Sequence, residues 1–241
     1  MLFVSLATAL YQILLLMLAQ DPQVVAPRAY RIAFENERVR VTRVHYEPHE
    51  KIGAHDHPYS PTIYVYLKDG GPIRFTHVGE EEFILTRPPV KAGAFRLGGN
   101  AKETHIVENL SDLPSDFLRI ELKGIPFERN SFRGRFPPEP HPIKRSSQKL
   151  RFENSQVQIL HVTCAARRRC EGLSSSSSAS LLVALTPARL KGADGGRAVQ
   201  KLSMSLGETR WAEAGREMLL ENATDRPAEF LRIDLKTGQN P

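Results

Sequence analysis

The sequence predicts an all-β protein made of two tandem antiparallel barrels of the jelly-roll type, preceded by a hydrophobic N-terminal segment. Three observations support this prediction. Short runs such as "RVRVTRVHY" and "TIYVYL" alternate at period two, Gly-Gly and Pro-Pro pairs separate the runs, and helical periodicity is absent after the N-terminal segment. The 241 residues, 41% of them hydrophobic, suffice for one large domain or two smaller ones.

The N-terminal segment, residues 1–20, is the first element. Residues 1–19 carry no charge, and Asp21 is the first charged residue. This pattern is typical of a signal peptide cleaved after Ala19, and its length also nearly suits an uncleaved membrane anchor. We therefore expect a periplasmic or secreted protein, with a membrane-anchored form as the alternative.

An internal repeat organises the rest of the chain. The run "FENERVRV" at Phe34 returns as "FENSQVQI" at Phe152, and "ENLSDLPSDFLRIELK" at Glu108 returns as "ENATDRPAEFLRIDLK" at Glu221. The same landmarks in the same order indicate a duplication. The repeat predicts one barrel over residues 28–124 and a second over 149–238, joined by a linker rich in Pro and Arg over 125–148.

Two polar motifs within the first repeat indicate a metal site. His55 and His57 lie two residues apart in "GAHDH", so they share one face of a strand, and His105 belongs to "THIVEN" on another strand. Neutral imidazoles are good ligands for divalent transition metals. His55 and His57 are therefore candidate ligands on one strand.

These motifs resemble the two sequence motifs of the cupin superfamily: glycine and His-x-His in the first, and His105 with Asn109 in the second. The whole chain after about residue 28 looks like a bicupin. The resemblance implies two cupin-type double-stranded β-helix barrels and a metal held by His55, His57 and His105. The expected cofactor is Fe, Mn, Ni, Zn or Cu.

The sequence departs from the family pattern in both halves. Thr62 stands where the family spacing places a carboxylate ligand, which leaves a site of three histidines. In the second repeat every ligand is replaced, which predicts a degenerate barrel with a structural or dimerising role. By the repeat alignment, the replacements are Leu173 for His55, Ser175 for His57, Met218 for His105 and Ser180 for Thr62.

Further candidate site residues follow from their positions near the motifs. We expect Glu103, two residues before His105, to act as a substitute ligand or a general base, and His49 as a fourth ligand or a base. Tyr64 is a third catalytic candidate, and the candidates for substrate binding are Thr62, Tyr66 and Arg96. Arg119 with Glu121 recurs as Arg232 with Asp234, which indicates structural ion pairs. Cys164 and Cys170 form either a disulfide or two free thiols.

Two functions fit these residues. The first is a mononuclear metal enzyme of the dioxygenase, isomerase or lyase type that acts on a small oxygenated organic molecule. The second is a non-catalytic module that binds a small ligand such as a sugar or an organic acid. The formal net charge of +6 is spread along the chain without aromatic-basic stripes, so we expect no nucleic-acid partner. Beyond the small molecule, the candidate partners are a second copy of the chain, as a homodimer, and the membrane.

Overall fold

The computed structural model describes residues 20–57, 61–78, 83–99, 104–124, 131–140, 142–173, 177–193, 200–215 and 219–236. The predicted leader over residues 1–20 lies outside this part of the chain except for Gln20. No helix within the described ranges is long and apolar enough to cross a membrane. One short helix, α1 (Pro22–Val25), begins after Asp21, whose side chain accepts a hydrogen bond from the backbone N–H of Gln23.

Strands make up nearly all the regular structure of residues 30–136. A six-stranded antiparallel sheet has the order β1-β2-β9-β4-β7-β10, and a four-stranded sheet has the order β3-β8-β5-β6. The bounds are β1 (Tyr30–Glu35), β2 (Val39–Tyr46), β3 (Lys51–Asp56), β4 (Thr62–Tyr66), β5 (Ile73–His77), β6 (Phe83–Arg87), β7 (Phe95–Gly98), β8 (Thr104–Asn109), β9 (Ser115–Leu122) and β10 (Gly134–Phe136).

Residues 147–235 form two further sheets. The five-stranded sheet has the order β11-β12-β18-β13-β16, and the three-stranded sheet has the order β15-β14-β17. The bounds are β11 (Ser147–Glu153), β12 (Val157–Cys164), β13 (Ala179–Ala184), β14 (Ala188–Ala193), β15 (Gln200–Met204), β16 (Thr209–Ala212), β17 (Leu219–Asn222) and β18 (Ala228–Leu235), with a 3₁₀ turn over Glu171–Leu173. A disulfide joins Cys164 to Cys170, which settles the alternative left open by the sequence.

The two larger sheets pack face to face around one shared apolar core. Its members alternate along the central strands of both sheets, so their side chains all point to the same face of each strand. They include Ile63 and Val65 of β4, Leu118, Ile120 and Leu122 of β9, Leu181 and Val183 of β13, and Leu231, Ile233 and Leu235 of β18. Phe34 stacks on Trp211 across this contact, with 6.3 Å between ring centroids.

A separate apolar cluster fills the space between the two sheets of each half. In the first half the cluster joins β1, β2, β3, β4, β5, β8 and β9 and includes Tyr30, Tyr46, Tyr64, Val107 and Phe117. Because Tyr64 and Tyr66 alternate with Ile63 and Val65, the two tyrosines face into this space, as the period-two pattern of "TIYVYL" predicts. The inward faces of β4 and β9 therefore carry the side chains available for a site.

We expect Ile120→Ala to lower the free energy of unfolding by about 2–5 kcal/mol, because it leaves a cavity in the core shared by both halves. Urea denaturation followed by the fluorescence of Trp211, the single tryptophan, measures this change. Ile84→Ala is the matched control: Ile84 is 67% exposed on β6, so we expect a change within about 0.5 kcal/mol. Equal losses in the two variants would contradict the assigned core.

Candidate metal centre

Three buried histidines meet between the two sheets of the first half. His55 and His105 are directly opposite each other in the antiparallel pair β3–β8, and His57 follows the end of β3. One ring nitrogen from each side chain lies within 4.8 Å of the other two, a spacing at which the three can share one metal ion. The predicted ligand set is thus brought together.

The hydrogen bonds of His55 fix which of its nitrogens carries a proton. Its Nδ1 lies 2.9 Å from the carbonyl oxygen of Gly53, which only accepts, so Nδ1–H is the donor. Nε2 is then an acceptor and receives a hydrogen bond from the hydroxyl of Tyr30 at 2.9 Å. Tyr30 in turn lies 2.8 Å from the hydroxyl of Tyr46, which gives a chain of donors running from Tyr46 through Tyr30 to His55.

Burial keeps the three histidines and Tyr30 uncharged at neutral pH. Burial lowers the pKa of His57 well below its usual value, and the Arg119 guanidinium lowers it further. Burial also lowers the pKa of His105 well below its usual value, and the neighbouring His55 lowers it further. Burial lowers the pKa of His55 as well. Burial raises the pKa of Tyr30 well above its usual value. The imidazoles therefore present neutral lone pairs, the form that binds a metal.

A carboxylate lies beside the histidines on a neighbouring strand. Glu121 of β9 is paired directly with Thr62 of β4, the position where the family motif places its carboxylate. Its Oε1 is 3.9 Å from Nδ1 of His57 and 3.4 Å from Nε of Arg119. Because His57 is neutral, the first contact does not join two charges, and at 3.9 Å it is longer than a hydrogen bond.

Arginines and tyrosines surround the space next to the histidines. A cavity of about 30 Å³, enough for roughly one water molecule, lies beside the cluster, and its polar lining includes His57, His105 and Arg119. Arg119 Nη1 donates to the hydroxyl of Tyr64 at 2.6 Å. The Cζ atom of Arg96 lies 3.9 Å from the centroid of the Tyr64 ring, and that of Arg87 lies 5.8 Å from it.

The other predicted site residues are placed as follows. Tyr64, Tyr66 and Arg96 line the cavity, whereas Thr62 is buried against Glu121 and is not among the lining residues. His49 is exposed in a turn, where Nε2 lies 2.8 Å from Asp112 Oδ1, away from the cluster. Glu103 lies outside the described residues.

The structure adds several residues that the sequence alone did not identify as part of the site. Tyr30 and Arg87 come from β1 and β6, and only the pairing of those strands brings them to the cavity. His77, which is not among the candidates of the sequence analysis, is paired with His105 across β5–β8, with 5.6 Å between ring centroids. The recurring arginine–acid pairs are confirmed as ion pairs, but Glu121 also approaches His57.

The second half carries no comparable group of metal-binding side chains among its described residues. Ser180 is paired with Asp234, as Thr62 is with Glu121, which agrees with the repeat alignment. Asp234 accepts hydrogen bonds from Ser180 Oγ at 2.7 Å and from Arg232 Nε at 2.8 Å. Leu173 packs into the local apolar core, and Ser175 and Met218 lie outside the described residues.

In the metal-free protein we expect the melting temperature to fall as the pH is lowered from 7.5 to 5.5. An unfolded histidine has a pKa near 6.5, while the folded values are lower, so the unfolded chain binds more protons below that pH and unfolding becomes more favourable. Thermal melts in chelator should show a shallower pH slope for His105→Leu. The exposed-site variant His49→Leu is the control, and an unchanged slope in His105→Leu would refute this explanation.

Comparison with known proteins gives a fold but no close relative. No protein-family model matches the sequence, and no curated protein is significantly similar to it. Among solved structures, the protein YhaK from Escherichia coli aligns with a TM-score of 0.58 and 14% identity over 87% of this chain and 92% of that chain.

Two further solved structures are similar at the same level. Bacillus subtilis oxalate decarboxylase, a protein with Mn(II) centres, aligns with a TM-score of 0.54 and 15% identity over 86% of this chain and 71% of that one. A cupin 2 conserved barrel domain protein from Leptotrichia buccalis aligns with a TM-score of 0.52 and 11% identity over 86% and 88% of the two chains. The chain therefore has the all-β jelly-roll fold of the cupins.

Proposed function

We propose that the first half is a metal-dependent cupin site that binds and transforms a small anionic organic molecule, and that the second half is a degenerate cupin barrel with a structural role. The observation that carries this proposal is the cluster of three buried, neutral histidines beside three arginines. His55, His57 and His105 would hold one divalent transition metal. The chemistry of the donor set fits Fe, Mn, Ni, Zn or Cu.

The charges around the cavity favour an anionic substrate. Arg87, Arg96 and Arg119 line it, and no aspartate or glutamate is among its lining residues in the described part of the chain. Arginine is suited to this task because its planar guanidinium binds a carboxylate through two parallel hydrogen bonds. An organic acid therefore fits the site better than a neutral sugar.

Each side chain has a definable task in such a site. Arg96 and Arg87 would orient the anionic group of the substrate, and Arg119 would hold Tyr64 through its hydrogen bond. Tyr30 donates to the Nε2 lone pair that His55 would offer to a metal, so a bound metal would displace this hydrogen bond. The Tyr30 hydroxyl would then keep its proton beside the metal, with Tyr46 as the next donor. When bound, a divalent ion supplies Lewis acidity and open coordination positions. Reaction types of the dioxygenase, isomerase or lyase class all use such positions.

A non-catalytic binding module is the alternative function, and Thr62 favours it because it replaces the carboxylate of the family motif. An enzyme would convert its ligand into a product, whereas a binding module would leave the ligand unchanged. Incubation of the metal-loaded protein with a panel of small organic acids, followed by oxygen uptake and product analysis, separates them. Binding without any change in the acids would support the module. An exported, periplasmic or secreted location and a homodimer remain part of the proposal.

We expect His57→Ala to abolish metal binding while the fold is retained. Elemental analysis of protein purified without chelator measures the metal, and circular dichroism reports the fold. His49→Ala, which removes a histidine exposed on a turn, is the control and should keep the wild-type metal content. Full metal stoichiometry in His57→Ala would rule out the assigned ligand set.

We expect Glu121→Gln to weaken metal affinity by about 10- to 100-fold, because a carboxylate beside the second ring nitrogen orients a ligating histidine and raises its basicity. Competition with a chromophoric chelator measures the dissociation constant. Asp234→Asn provides an internal control, since it changes the equivalent acid of the other half. If both variants bound metal as tightly as the wild type, Glu121 would have only the structural role of an arginine partner.

A further inference from the structure

A groove of about 280 Å³ lies outside the cavity, at the edge of the six-stranded sheet. One wall is the chain from Arg87 to Val90, which includes two consecutive prolines, and the other comes from β7 and β10. Phe95 and Phe136 stack there with 4.3 Å between ring centroids, so the wall contributed by the linker is anchored to β7. The groove is therefore framed by stiff segments.

The groove and the cavity adjoin each other, because they have five lining residues in common. Tyr66, Arg87, Pro88, Val90 and Arg96 line both of them. The inner cavity, at about 30 Å³, has room for roughly one water-sized group. Any organic ligand that reaches the histidines must therefore place most of its atoms in the outer groove.

Two arginines lie opposite each other on β7 and β10, the two strands that form one wall of the groove. Arg96 of β7 and Arg135 of β10 are directly opposite in the antiparallel register, an arrangement in which like charges repel. Neither arginine forms an ion pair with a described residue. The groove wall has two more cationic side chains, Arg87 and Lys91, and Lys91 forms an ion pair with Asp69 at 2.7 Å. The buried Nε of Arg96 also makes no hydrogen bond.

Repulsion between opposed arginines and an unsatisfied buried N–H are both relieved by an anion placed between them. No aspartate or glutamate lines the groove among the described residues, so such an anion would come from a ligand. The remaining walls, made of Tyr66, Phe136 and the prolines, suit an apolar segment.

Building on the proposed function, we propose that the ligand is an elongated organic acid with a carboxylate at each end. One oxygen of the inner carboxylate enters the cavity toward the histidine cluster, beside Arg87. The apolar middle lies against Tyr66 and the prolines. The outer carboxylate is held between Arg96 and Arg135, which makes Arg135 a specificity-determining residue contributed by the linker.

The test is calorimetric binding of straight-chain dicarboxylates, from oxalate to octanedioate, to the metal-loaded full-length protein at low ionic strength. The matched monocarboxylates are measured in parallel. We expect affinity to rise once the dicarboxylate is long enough to reach both ends, with no such rise for the monocarboxylates. Arg135→Gln should weaken the longer dicarboxylates about tenfold and leave oxalate and the monocarboxylates unchanged.

Arg133→Gln is the matched control, because Arg133 precedes β10, is exposed and does not line the groove. The proposal is overturned if Arg135→Gln binds the longer dicarboxylates as the wild type does, if affinity does not depend on length, or if no acid binds. Metal content is measured on every sample. If the wild type binds metal, His57→Ala does not, and the affinity is the same for short and long dicarboxylates, only the elongated ligand is disproved. If His57→Ala keeps its metal, the assigned metal site is disproved.

Discussion

Strand β9 is buried on both of its faces, and this constraint determines where the core and the site lie. All of its residues from Ser115 to Leu122 are buried. Leu118, Ile120 and Leu122 point to the contact between the two large sheets, while Phe117, Arg119 and Glu121 point into the first half. A shift of one residue in register would exchange the two sets and bury charges in the apolar contact. The apolar face therefore holds the charged face in place.

The charges on the inward face create an environment that suits neutral imidazoles. Desolvation disfavours protonated histidine, and the Arg119 guanidinium acts in the same direction on all three histidines of the cluster. Arg119 itself is stabilised by Glu121 and by the hydroxyl of Tyr64. The ion pair thus has two effects: it satisfies a buried cation, and it keeps the metal-binding lone pairs available at neutral pH.

Much of the fold and part of the site follow from the sequence, because both depend on local periodicity. The alternation in "TIYVYL" correctly predicts that Tyr64 and Tyr66 share a face, and the spacing of His55 and His57 predicts that they do too. The resemblance to the cupin motifs adds His105 to the cluster. The contributions of Tyr30, Arg87 and Arg135 depend instead on which strands pair, namely β1 with β2, β6 with β5 and β10 with β7. The first two pairs are hairpins of neighbouring strands, and only β7 with β10 is a long-range pair. How the two sheets of the first half meet is not encoded in any short window, so these residues could not be assigned to the site from the sequence.

The duplication shows which features belong to the fold and which belong to the chemistry. Arg232 and Asp234 keep the geometry of an arginine–acid pair in the second half, where the acid is one methylene shorter and is bound by Ser180. Arg232 also donates to the carbonyl of Gly172, which belongs to the segment that replaces the His-x-His motif. Arg232 and Asp234 are thus hydrogen-bonded to each other and to groups of their own barrel. In the first half the longer Glu121 reaches past Arg119 toward His57. Both halves thus keep the arginine–acid ion pair, and only the longer acid of the first half also lies beside a histidine cluster among the described residues.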